Sequence, residues 1–273
     1  MPASALALAL AAAFIHAVWN LLIARARDPE AASAVALLVA IVAYAPIAAV
    51  VWDVDRRVWP YIMGTGLLQL GYTAFLAAGY RRAELSVVYP VARGTAPVLV
   101  LVVGVLALGT GTSAVQAAGV CLVGAGILFI RGLARNADPT GLAFGLVVAG
   151  FIAAYTLVDK EGVRFAAPFA YLELSMLLPT FAYAGGLVGL RGVQTLRAAV
   201  NTSSVVAGLC AFGAYGLVLA ALQRAPAAPV AAVRETSVLV AAALAAVYLH
   251  ERVTPARWLG AALVACGVAL VAV

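Results

Sequence analysis

Apolar runs long enough to cross a bilayer fill this chain, with short polar breaks between them. A helix spanning the hydrocarbon core needs about 20 mainly apolar residues. Charges, Gly and Pro divide the sequence into ten such segments: 3–24, 32–52, 59–80, 86–108, 113–130, 139–158, 168–190, 200–222, 228–249 and 255–273. The breaks are short and mostly charged, as at Arg25 to Glu30, Asp53 to Arg57 and Asp159 to Arg164; the one near Gly109 to Thr112 carries no charge. No linker can hold a soluble domain. The pattern predicts an all-α integral membrane protein with ten transmembrane helices.

The chain also repeats itself. Arg93-Gly-Thr-Ala-Pro-Val-Leu-Val reads against Arg234-Glu-Thr-Ser-Val-Leu-Val at an offset of 234 − 93 = 141. The same offset pairs Gly119 with Gly260 and Gly126 with Gly267, and Arg82-Ala83 pairs with Arg224-Ala225 at 142. Two units of five helices follow, 1–131 and 138–273. An odd number of crossings inserts the second unit upside down. The two units then form inverted repeats about an axis in the membrane plane, an arrangement that transporters use with the binding site at the repeat interface.

Composition agrees with the pattern. The chain is 66% hydrophobic and 10% charged, with a mean hydropathy of +1.08; a soluble domain carries about 25% charged residues. The net charge of +6 implies no nucleic-acid partner, because the basic residues stand singly or in pairs between apolar runs as membrane-end anchors do. Cys121, Cys210 and Cys266 lie in apolar runs and give neither a disulfide framework nor a metal site. No cofactor is implied, and a monomer in the lipid bilayer is expected. Met1 to Ile15 lacks a positive n-region, and its apolar run continues to Ile23; it reads as the first membrane helix rather than a signal peptide. Both termini share one side. Basic residues in loops 1–2, 3–4, 5–6, 7–8 and 9–10 number ten, against five in the others, which by charge alone puts both termini outside.

Several stretches carry a family resemblance. Phe14-Ile-His-Ala-Val-Trp-Asn20 and Tyr155-Thr-Leu-Val-Asp-Lys160 open the two units, and Leu249-His-Glu-Arg-Val-Thr-Pro-Ala-Arg-Trp-Leu-Gly260 closes the second. In these the chain resembles the drug/metabolite transporter superfamily, in its ten-helix branch with two EamA repeats. His250 stands where that branch usually has Gly, and Leu108-Gly-Thr-Gly-Thr112 lacks the Glu-Arg of the motif. The resemblance implies a multi-pass transporter of a bacterial inner membrane, closest to exporters of amino acids and other metabolites. It also implies cytoplasmic termini, against the charge count. The superfamily's small drug exporters couple protons through a first-helix glutamate; no acid lies between Pro2 and Ile23 here, which argues against that mechanism.

Candidate site residues are the polar groups inside apolar spans. Arg93 and Arg234 each cost about 2.5–3.5 kcal/mol at mid-bilayer. They therefore line a cavity, pair structurally where the units meet, or snorkel to the headgroups. Glu235 adjoins Arg234, but neighbouring helix residues do not face each other, so an acidic partner of Arg234 is expected on another helix. His16, Trp19 and Asn20 share a face of the first helix and bind substrate or hold helices together. Tyr72, Tyr155 and Tyr215 lie deep in their spans, and Tyr89 is one turn before Arg93; they bind substrate or pack. Tyr80, Tyr171 and Tyr248 fall near helix ends and read as aromatic-belt residues. Gln69 and Glu173 are further buried polar candidates. Pro46 and Pro179, inside corresponding spans, read as hinges.

The leading function is an exporter or facilitator of small amphipathic metabolites, above all neutral and aromatic amino acids. An arginine would hold the carboxylate, and Tyr, Trp and His the apolar body. An alternative is a proton-coupled drug or quaternary-cation exporter using Glu173 and Glu235. A distant one is an intramembrane enzyme, for which no nucleophile–base pair or metal spacing is present.

Overall fold

Prolines and short polar side chains set most of the helix starts. The computed structural model describes residues 1–83, 85–131, 138–240, 243 and 254–273. α1 (Ala3–Ala24) begins directly after Pro2. α2 (Pro29–Val50) follows Asp28, whose carboxylate accepts the N–H of Ala31 at 3.1 Å. α3 (Trp59–Arg82), α4 (Leu85–Leu106) and α5 (Ala114–Arg131) come next. α6 (Pro139–Gly162) is capped by Asp138, α7 is Pro168–Arg191, and α8 (Val193–Ala199) is a short connecting helix. Asn201 caps α9 (Thr202–Arg224); α10 (Ala227–Arg234) and α11 (Pro255–Ala272) complete the order. Proline suits a first helical turn because the N–H it lacks would have had no partner there.

Among the described residues seven helices, α1 to α4, α6, α7 and α9, are long and apolar enough to cross a membrane. α5 and α11 carry shorter apolar stretches, Ala114–Phe129 and Trp258–Ala272. Large apolar side chains turn outward, among them Val42 at 75% and Trp258 at 68% exposure, as a lipid-facing surface requires. The fold is that of an all-helical, multi-pass membrane protein.

Two expected spans need correction. The segment 228–249 is not one helix: α10 stops at Arg234, Glu235 and Thr236 form a turn, and residues 237–240 are helical again. The segment 139–158 is too short, since α6 continues to Gly162 and takes in Asp159 and Lys160. Lys160 Nζ donates to the carbonyls of Leu222 (2.6 Å) and Ala225 (3.1 Å) at the end of α9, so this charge is satisfied without leaving the helix. Tyr248, His250 and the side chain of Tyr80 lie outside the described residues.

Packing runs mainly between the two halves of the sequence. α1 lies on α9, α2 on α7 and α9, α3 on α6 and α7, α4 on α6, and α5 on α11, while α10 is wedged against α4 and α1. The α5–α11 contact depends on glycine. A Cβ at Gly119 would stand 2.7 Å from the carbonyl oxygen of Gly267, and one at Gly126 would stand 2.7 Å from that of Gly260. Backbones approach this closely only where side chains are absent.

Pro46 and Pro179 lie inside α2 and α7, as expected, and α4 adds Pro90 and Pro97. Each proline leaves the carbonyl four residues earlier without its helical donor. For Pro179 that carbonyl belongs to Ser175, and α3 presents Gly66 to it: a Cβ there would come within 3.2 Å of the oxygen.

Candidate functional site

The two arginines sit where their helices lose regularity. In α4, Pro97 stands four residues after Arg93 and removes the N–H that would serve the Arg93 carbonyl. In the second half Val238 takes the proline's place, yet the helix breaks. Glu235 N–H donates to Ala232 O (3.1 Å), Thr236 N–H to Val233 O (3.0 Å) and Val238 N–H to Glu235 O (3.0 Å). These are tight three-residue turns. The Thr236 hydroxyl also bonds Val233 O at 2.8 Å, which is how Thr and Ser compete with a continuous helical ladder.

The break brings Glu235 into play. Its side chain is fully buried and faces both arginines, with Arg93 Nε 3.1 Å from Oε2 and Arg234 Nε 3.6 Å from Oε1. The expectation that Glu235 and its neighbour Arg234 point apart holds for a continuous helix, and this helix is not continuous. Both arginines are only 6% exposed, so neither snorkels. The pairs are close in distance but misdirected: Arg93 Nε, Arg234 Nε and Nη2, and both Glu235 carboxylate oxygens are buried without a hydrogen-bond partner.

The two guanidiniums differ. Arg93 Nη2 lies 2.8 Å from His16 Nε2 and 3.5 Å from Ser237 Oγ, and the Tyr89 ring stands 5.8 Å from its guanidinium carbon. His16 Nδ1 faces the Trp19 indole N–H at 3.2 Å. Both ring nitrogens therefore face donors, and a neutral imidazole accepts at only one of them. Which of the two contacts, Arg93 or Trp19, finds the lone pair is set by the tautomer of the ring. Asn20 donates to the backbone carbonyl of His16 at 2.8 Å, so its amide serves α1 itself. Arg234 has no comparable set among the described residues: its Nε lies 3.6 Å from Glu235, and neither Nε nor Nη2 makes a hydrogen bond.

Beside the arginines runs an aromatic row. Tyr72 meets Tyr155 edge-on at 6.1 Å between ring centroids, and Tyr155 meets Tyr215 at 6.4 Å. Gln69 Nε2 donates to the Tyr215 hydroxyl at 2.9 Å.

That row leads to an acid absent from the sequence-based candidates. Asp159 is 1% exposed. Its Oδ1 accepts from Thr65 Oγ1 (2.6 Å) and the Tyr171 hydroxyl (3.0 Å), and its Oδ2 from the Tyr215 hydroxyl (2.5 Å). Asp159 sits in a charged stretch that reads as a loop in the sequence. The available signal was Tyr155, four residues earlier and so on the same helix face. Tyr171, expected in an aromatic belt, is fully buried in this network; its ring packs towards the backbone of Gly162. Glu173 remains apart: among the described residues no salt bridge reaches it, and its Oε2 is buried without a partner.

Two clasps hold opposite ends of α2. Past its C-terminus, Asp55 N–H donates to Phe165 O and Ala167 N–H to Asp53 O, both at 2.8 Å, and Arg57 lies over the Phe165 ring at 4.9 Å. Arg57 also bonds Asp55, and this holds the Asp55 carboxyl down at about 2. At the other end, Arg191 of α7 pairs with Asp28 and with Glu30 (3.1 Å). The N–H of Ala31 and then Arg191 keep the Asp28 carboxyl below its usual range.

Comparison with known proteins agrees with this architecture. The model of the EamA-like transporter family matches residues 3–132 and, a second time, 139–273. A solved crystal structure superposes on 100% of this chain and 99% of its own, with a TM-score of 0.79 at 17% sequence identity; this likeness concerns the fold alone. Comparison with curated protein sequences gives no match.

Proposed function

Since this chain belongs to the EamA-like transporter family, we propose that it carries small amphipathic carboxylates, above all neutral and aromatic amino acids, across a bacterial inner membrane by alternating access. One observation carries this reading: the Nε–Nη2 edge of Arg234 is buried and makes no hydrogen bond, with Glu235 near Nε at 3.6 Å but misdirected. Two parallel N–H groups on a planar guanidinium match the two oxygens of a carboxylate. Arg93, held by Glu235 and His16, positions that carboxylate site. Tyr72, Tyr155 and Tyr215 offer ring faces to an apolar or aromatic body and, through cation–π attraction, to an ammonium group.

Ten crossings in two inverted units, 1–131 and 138–273, complete the proposal. The contacts support it, because most interfaces have an inverted counterpart. Exchanging first-half helices for their second-half equivalents turns α1–α9 into α3–α6, α2–α9 into α3–α7, and α4–α6 into α1–α10; all of these contacts occur.

The test is uptake of labelled phenylalanine into proteoliposomes. Saturable uptake, competed by other neutral amino acids, supports the reading. A drug or quaternary-cation exporter is the second reading, favoured by Glu173, whose Oε2 is buried without a hydrogen-bond partner. Transport of tetraphenylphosphonium without phenylalanine would select it.

A further inference from the structure

Most interfaces of the fold have an inverted counterpart, but α6–α9 does not. α6 meets α9, whereas the equivalent pair, α1 and α3, makes no comparable interface among the described residues. Two short connections separate α1 from α3, and two separate α6 from α9, so each pair runs parallel. Thr65, near the start of α3, bonds Asp159, near the end of α6. The two pairs therefore finish at opposite ends of the molecule.

Polar bonds tie the α6–α9 end together. The Tyr215 hydroxyl of α9 donates to Asp159 Oδ2 at 2.5 Å and receives the Gln69 amide of α3 at 2.9 Å. Thr65 of α3 and Tyr171 of α7 donate to Asp159 Oδ1. Lys160 Nζ donates to the Leu222 and Ala225 carbonyls at 2.6 and 3.1 Å. Gln223 Nε2 returns the tie from α9, donating to Val163 O at 2.8 Å. Asp159 is 1% exposed, and Leu222 is fully buried.

The α1–α3 end lacks the matching groups. The last turn of α1, Leu21-Leu-Ile-Ala24, is apolar where α6 ends on Asp159-Lys160-Glu161-Gly162. By the offset of 142, the counterpart of Tyr215 is Thr73 (215 − 142 = 73), and its hydroxyl serves Gln69 O of its own helix at 2.9 Å. His16 and Asn20 of α1 and Tyr72 of α3 stay half-buried.

We propose that Asp159 and Lys160 form a latch that holds the α6–α9 end shut, so that the arginines are reached between α1 and α3, and that the opposite route opens only when α9 lets go of both residues. The latch takes its purpose, though not its geometry, from the transport reading above. Bonds concentrated at one end bias the substrate-free equilibrium toward this state. The Lys160 bonds go to backbone carbonyls, so on the α6 side they depend on this one side chain.

Distances between nitroxide labels in purified protein, with no substrate present, test the latch. In a background with Cys121, Cys210 and Cys266 replaced by alanine, labels at positions 56 and 224 span the latched end, and labels at 25 and 81 span the α1–α3 end; the arginines at all four positions are exposed. The first pair should give one short distance in otherwise unchanged protein. In Tyr215→Phe with Lys160→Met, the ratio of a longer to the short distance at that pair should rise about tenfold or more, the worth of bonds to charged groups, while the second pair shortens. Lys160→Met alone leaves the Asp159 bonds in place and should move the ratio in the same direction. Arg164→Gln, which removes an exposed ion pair with Glu161 at the same end, should move neither pair. Unchanged distances in folded Lys160→Met and in the double variant overturn the latch. A long first-pair distance without the latch substitutions, or equal opening in Arg164→Gln, overturns it too. Absence of substrate uptake would count against the proposed function and leave these distances to decide the latch.

Discussion

Arg93 and Glu235, 142 residues apart by 235 − 93, meet at 3.1 Å in the buried centre without forming a directed hydrogen bond. Two halves of the chain thus share an ion pair that is close and loosely aimed. Removing one partner of a buried pair typically costs 3–5 kcal/mol, because the other charge is left uncompensated. Glu235→Gln should lower the thermal stability of the purified protein accordingly. A carboxylate ligand should restore more stability to the variant than it adds to wild type, since it replaces the missing charge. Equal ligand-induced shifts in thermal melting would count against a carboxylate site beside Glu235.

The hinges make a separate prediction. Pro46→Ala and Pro179→Ala restore a helical donor in α2 and α7, and each should change the maximal transport rate more than the apparent affinity. Initial-rate uptake over a range of substrate concentrations separates the two. Unchanged transport in both variants removes these prolines from the moving parts.

The α5–α11 contact is a matter of packing. Gly126→Val places a branched side chain where a single Cβ already meets the Gly260 carbonyl oxygen at 2.7 Å. Overpacking of this kind costs about 1–3 kcal/mol. Thermal melting should fall while the folded fraction keeps its substrate affinity, because Gly126 faces α11, whereas α5 meets α4 beside Arg93 through Gly124 and Gly94. A changed affinity at full stability would contradict that separation.

The clasps respond to acid. Asp55 is held at about 2 by its bonds to Arg57, and Asp28 is lowered first by the N–H of Ala31. For a lowered carboxyl, the stabilising contribution is complete above the ordinary carboxylate range and is lost as pH falls through the lowered value. Wild type should therefore lose part of its stability between about pH 4 and pH 2. Asp28→Asn with Asp55→Asn should flatten that part of a melting-temperature profile. A profile with the same slope in the double variant would remove both clasps from the acid response.

What the sequence makes legible follows its physics. Hydropathy marks where the apolar helices lie, because lipid demands continuous apolar runs, but not that α6 runs on to Gly162, and the offset of 141 marks both arginines. The break at Glu235 is hidden, since Val238-Leu-Val-Ala reads on as an apolar helix and only Thr236 and Ser237 hint at competition for the backbone. Asp159 was hidden for the opposite reason. Beside Lys160, Glu161 and Arg164 it looks like solvent punctuation, and only the fold shows Lys160 capping α9 while Asp159 turns inward to Thr65, Tyr171 and Tyr215. His16 with Trp19 and Tyr89 with Arg93 were legible, because helical spacing fixes which neighbours share a face.

The most direct measurement is competition for phenylalanine uptake in proteoliposomes by phenylpropionate, which keeps the carboxylate, and phenethylamine, which lacks it, in wild type and Arg234→Gln. A guanidinium that binds carboxylate predicts that phenylpropionate competes in wild type and phenethylamine does not. It also predicts that the apparent affinity for phenylalanine falls about tenfold or more in Arg234→Gln, the worth of a charge-assisted hydrogen bond or two. Equal competition by both compounds, or unchanged affinity in a folded Arg234→Gln, would contradict the account.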